Sequence, residues 1–71
     1  MYVIQKWEPK AGVWLCVPGE DGIVRQYGEY LHAYRYANQR LRFYPELEVE
    51  EGKLPPDTSL SVWWRIAQVQ L

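Results

Sequence analysis

Apolar positions recur at helical spacing in only one long stretch, YGEYLHAYRYANQRLRFY, from Tyr27 to Tyr44. Stepping about 100° per residue from Tyr30 places Tyr34, Ala37, Leu41 and Tyr44 within about 40° of it. Leu31, Ala33 and Asn38 flank that stripe, and His32, Tyr36, Gln39 and Phe43 fall opposite. The pattern predicts a helix lying on a core through its Tyr30 face. Gly28 suits the position before the helix, and Pro45 is expected to stop it.

Elsewhere the pattern is that of strands. Tyr2 to Trp7 and Val13 to Val17 flank Glu8-Pro9-Lys10-Ala11-Gly12, a turn sequence. Closing the hairpin with Glu8 opposite Val13 pairs Trp7 with Trp14, Gln5 with Cys16 and Ile4 with Val17. That register puts Tyr2, Ile4, Val13, Leu15 and Val17 on one face, towards the helix. Val3, Gln5, Trp7, Trp14 and Cys16 take the other. After a second turn over Pro18-Gly19-Glu20-Asp21-Gly22, Ile23 to Gln26 predicts a short third strand. Glu46-Leu47-Glu48-Val49-Glu50 alternates acid and apolar, as a charged edge strand does, and Glu51 to Ser59 is a loop interrupted by Pro55-Pro56.

The closing segment from Leu60 to Leu71 is rich in Trp and Val, which favours a strand. Leu60, Val62, Trp64 and Ile66 share one face of it. Ser61, Trp63, Arg65, Ala67, Val69 and Leu71 share the other. Both faces are apolar enough for a central strand beside Tyr2 to Trp7, yet the chain offers one helix to cover one side. The expected fold is α+β: a small antiparallel sheet of three to five strands with one helix on one face, in a single domain over 1–71. The expected core is Tyr2, Ile4, Leu15, Val17, Tyr30, Leu31, Tyr34, Ala37, Leu41, Val62, Trp64 and Ile66.

The uncovered face would display Trp7, Trp14, Trp63 and Arg65. Three exposed indoles exceed the few hundred Å² of apolar surface that monomers usually leave open. The expectation is an interface there, for a second copy or another protein. The alternative is that the loop Glu50 to Ser59 folds over it. Arg35, Tyr36, Arg42 and Phe43 form a secondary candidate surface on the outer side of the helix; Tyr36 and Phe43 could instead lie against neighbouring loops.

Composition adds few constraints. In 71 residues there is room for one small core. A single Cys16 excludes an intramolecular disulfide, one Cys and one His32 do not make a zinc site, and no cofactor is implied. The lone cysteine and the lack of a signal-peptide pattern favour a cytoplasmic setting, and no run is long enough to span a membrane. Net charge is −1. Four arginines lie between Arg25 and Arg42, and five acids between Glu46 and Asp57. Arg25, Arg35, Arg40 and Arg42 with nearby aromatics could contact nucleic acid, but phosphate binding usually needs a clear basic excess. His32 and Cys16 lack catalytic motif spacing, and the acids Glu46 to Glu51 lack that of a Ca²⁺ loop. A non-enzymatic role is expected.

The order YVIQKWEPKAGVW, YLHAYRYANQRLRFYPELE, VWWRIAQVQL resembles small accessory proteins of bacteriophages and prophages. The acidic, Pro-rich segment from Glu50 to Ser59 departs from their compact form. The resemblance implies a protein that binds and blocks a host bacterial protein, such as a defence or regulatory factor, in the host cytoplasm. It carries over no functional residue.

Overall fold

A computed structural model describes residues 1–70; Leu71, expected on the closing strand, lies outside them. The elements run β1 (Tyr2–Glu8), β2 (Val13–Cys16), α1 (Tyr30–Gln39), a 3₁₀ turn (Pro45–Leu47) and β3 (Trp64–Gln68). The three strands form an antiparallel sheet in the order β2-β1-β3, with α1 packed on β1 and β3. This is a small α+β fold of order ββαβ.

The hairpin has the expected register, with Gln5 opposite Cys16, Trp7 opposite Trp14 and Glu8 opposite Val13. β3 lies along the other edge of β1, pairing Ile4 with Ile66 and Lys6 with Trp64. Ladder direction alternates along β1. The Trp7 N–H donates to the Trp63 carbonyl on the β3 side, and the Ile4 carbonyl accepts from the Val17 N–H on the β2 side.

Two expected strands shrink to single bridges. Over 23–26 there is no third strand: Val24 bridges back to Pro18, and Tyr27 replaces β2 beside Tyr2 through two backbone bonds of 2.7 and 2.8 Å. Over 46–50, Pro45 starts the 3₁₀ turn, so only Glu48 bridges Trp64, in parallel, while the Val49 N–H reaches the Trp64 carbonyl at 2.7 Å.

Ile4, Ala33, Ala37, Trp64 and Ile66 are the buried centre on the helix side. The buried direction of α1 runs between Ala33 and Ala37, rotated by about 40° from the predicted stripe. Small side chains let the helix backbone approach the sheet, and Trp64, fully buried, fills the space beneath. Tyr34 and Tyr36 then straddle the alanine ridge, both half-buried. Tyr30 and Leu31 are exposed, contrary to the expected core.

Leu15 and Val62 are also exposed rather than core. Val62 precedes β3, which starts at Trp64 rather than at the expected Leu60. For Leu15 the reason is width: a helix about 10 Å across covers roughly two strands spaced about 4.8 Å apart. Those two are β1 and β3, so β2 receives no cover.

The helix ends at Gln39, well before Pro45. Past the Arg40 cap the chain folds back on the helix: the Phe43 N–H donates to the Ala37 carbonyl, six residues earlier, at 2.8 Å, and Arg42 takes φ +56°. The turn throws Phe43 back onto the core, where its ring stacks on Trp64 at 5.4 Å. A helical projection past residue 39 therefore misassigned Phe43 to the outer face. Left-handed backbone suits glycine and is worst for β-branched residues. Arg42→Gly should raise stability by up to about 1 kcal/mol, and Arg42→Val should lower it. Thermal melting would read this as a shift of about 4–8 °C per kcal/mol for a chain this short.

Candidate functional site

The sheet face away from the helix is not open. Val3, Trp7 and Ala67 are buried there, Trp7 to 5% exposure, and Pro55 of the following loop is buried as well. Indole N–H groups fasten the loop: Trp7 Nε1 donates to the Thr58 carbonyl at 2.9 Å and Trp63 Nε1 to the Asp57 carbonyl at 2.8 Å. Asp57 shapes the turn by accepting from the Ser59 N–H (3.0 Å) and hydroxyl (2.5 Å), which holds its carboxyl below the usual carboxylate range. Further along, the Glu51 carboxylate accepts the Gln68 N–H at 3.1 Å.

This corrects the expected cluster of three exposed indoles. Trp7 is interior, and Trp14 and Trp63 are half-buried. Trp7 and Trp14 meet edge to face at 5.2 Å, a cross-strand pair with a structural role. The Arg65 guanidinium lies 4.5 Å from the Trp14 ring centre, and its Nε donates to Gln5 at 2.7 Å. Burial lowers the Arg65 pKa, with the Glu51 and Cys16 charges opposing that shift.

The secondary surface divides. Arg35 and Arg42 are exposed, but Tyr36 and Phe43 pack against the core. Tyr36 lies 5.9 Å from Tyr27 and carries the Arg25 guanidinium 5.7 Å from its ring centre. Arg40 faces Glu20 at 3.7 Å across solvent. Two of the four arginines thus have partners within the fold.

What the sequence did not single out is a groove of about 320 Å³ at the C-terminal end of α1. Leu41, Phe43, Leu47 and Val62 line it, with Lys6 and Arg42 on the same walls and no acid among them. It exists because the Arg42 turn and the approach to β3 enclose sheet surface beyond the helix end. Its local signal was weak: the apolar run around Phe43 read as more helix.

A second recess, of about 430 Å³, lies between Tyr2, Tyr30 and Glu48, Glu50 and Glu51. The Tyr30 hydroxyl donates to Glu48, and burial together with that bond raises the phenol well above its ordinary 10.0.

His32 is exposed on the helix, facing Glu29 at 3.6 Å, whereas Cys16 is exposed on the far side of the sheet, 3.6 Å from the Gln5 amide. They cannot act together. Among the described residues no cluster of His, Cys, Asp and Glu could hold a metal ion, and no helix is long and apolar enough to cross a membrane. Comparisons with family models, curated proteins and solved structures found no match.

Trp7→Phe keeps a ring in place but removes the donor to Thr58. It should cost about 1–2 kcal/mol and selectively speed amide exchange over residues 57–60, with β1 still protected. Uniform loss of protection would show that the loop and the sheet unfold as one unit.

The Tyr30 phenol stays protonated further in the folded than in the unfolded chain. Its contribution is therefore complete below pH 10.0 and is lost as pH rises through the higher folded value. Alkaline unfolding should be shallower in Tyr30→Phe than in the wild type, and absorbance titration should show one fewer late-titrating phenol.

Proposed function

We propose that this chain is a small protein-binding module that acts by occupying a surface of another protein, without catalysis. The observation that carries the reading is the groove at the end of α1. Its base is firm, because Phe43 stacks on the fully buried Trp64. Its rim is apolar and open, with Val62 and Tyr44 both exposed. Lys6 and Arg42 make it cationic. A short segment carrying one apolar anchor beside a carboxylate would fit both features.

The resemblance to phage accessory proteins suggests the setting, an inhibitor or modulator of a host bacterial protein in the host cytoplasm. On the indole face Trp7 is buried, and Trp7 and Trp63 are tied to the loop carbonyls of Thr58 and Asp57. The nucleic-acid reading finds less support, since Arg25 and Arg40 are engaged within the fold.

Paired pull-downs from bacterial lysate test the proposal. Val62→Asp places an anion in the groove at an exposed position, so the fold should survive. A protein retained by the wild type and lost at least tenfold with Val62→Asp, but kept with Arg35→Ala, supports the groove. Equal retention by both baits would refute it, as would tight single-stranded DNA or RNA binding that falls steeply with salt.

A further inference from the structure

The outer edge of β2 is an unpaired strand edge, and its pattern is self-complementary. The inward ladder of β2 uses alternate residues, as the Val17 bond to Ile4 shows. By strand alternation the N–H and C=O groups of Trp14 and Cys16 point away from β1. No backbone partner among the described residues meets them there. The segment 24–27 does not cover this edge, because its own bridges lie on the β1 side, with Pro18 and Tyr2.

Exposed strand edges are usually protected by a charge, a proline or a bulge. β2 has none within it: Val13, Trp14, Leu15 and Cys16 are uncharged, and the ladder is regular. Leu15 is 52% exposed and Val13 44%, both on the helix side of the sheet where the helix does not reach.

We propose that this edge pairs with β2 of a second copy, antiparallel, about a two-fold axis at Leu15, joining two three-stranded sheets into one of six strands. In that register Trp14 meets Cys16 of the other copy, and the reverse, so all four outward groups on each chain are satisfied. Leu15 faces its own counterpart across a non-hydrogen-bonded pair, where side chains approach most closely. Val13 meets Val17. Pro18, which has no N–H, ends the ladder at the next outward position.

Charge agrees with this choice of occupant. The antiparallel arrangement brings the turn bearing Lys10 towards the partner turn bearing Glu20 and Asp21. A net charge of −1 leaves little long-range repulsion between copies. The contact is shorter than a standard interface of about 1,200 Å² or more, so the dimer should be weak, with micromolar dissociation. It does not depend on the groove reading, since Val62 and Phe43 lie beyond it.

Analytical ultracentrifugation over a concentration series should show a monomer–dimer equilibrium. Leu15→Lys places two ammonium groups on the axis and should weaken the dimer at least tenfold, with unchanged circular dichroism. Leu15→Cys in a Cys16→Ser background should form an intermolecular disulfide on mild oxidation, because the paired Cα atoms would be about 4.5 Å apart. The native Cys16 thiols, offset by two residues from each other, should not. Val62→Asp should leave the dimer intact, which separates this test from that of the groove. A wild type that stays monomeric to about 1 mM overturns the proposal. So does a dimer indifferent to Leu15→Lys, or cross-linking through Cys16 but not through Leu15→Cys. If Leu15→Lys fails to fold, the conservative cysteine variant decides alone.

Discussion

Burial of the Trp64 indole is the interaction on which the remaining structure depends. Its ring is covered by the alanine ridge of α1, by Phe43 stacked at 5.4 Å and by Tyr34 at 6.0 Å. Its Nε1 donates to the Tyr44 carbonyl at 3.0 Å, so no polar atom of the side chain is stranded. Removing roughly 200 Å² of such a ring from water is worth about 5 kcal/mol, comparable to the whole stability expected of a domain this small. The same contact sets the geometry around it. The helix sits over alanines because the space below is taken by an indole, and the chain turns back at Arg42 because Phe43 is the lid of that space.

A thin sheet has two faces to keep dry, and this chain covers them by different means. One face receives a helix. The other receives a loop with almost no regular hydrogen bonding of its own, held by two indole donors and a buried proline. Neither cover is wide. The helix spans β1 and β3, and the loop is tied to Trp7 and Trp63 on those same two strands and their approach. β2 is consequently left with exposed side chains on one side and unpaired backbone at its edge.

Both proposed surfaces arise from that shortage of cover. The groove lies where the helix stops short of the end of the sheet, and the open edge lies where it stops short of the side. In a chain of 71 residues these are places where apolar surface and hydrogen-bonding capacity remain free while the core stays intact. His32 and Cys16 stand apart from each other in space, on opposite sides of the sheet.

The hairpin register, the ββαβ order and the pairing of β1 with β3 were legible in the sequence. Each depends on local turn chemistry or on a two-residue alternation that a strand must obey. Trp64 and Ile66 were legible as core for the same reason. The rotation of the helix was not, because Tyr30 and Leu31 are as apolar as a core residue should be and only the bulk of Trp64 favours the alanines. Nor was Phe43, since a positive φ at Arg42 has no signature when the residue is not glycine. The indole face was correctly recognised as too apolar to leave in water, but sequence could not decide between a partner and the chain's own loop. That choice rests on whether the carbonyls of Asp57 and Thr58 come within reach of two indole N–H groups. Such contacts, between residues as far apart as Trp7 and Thr58, exist only once the sheet has fixed where each end of the loop must start and finish.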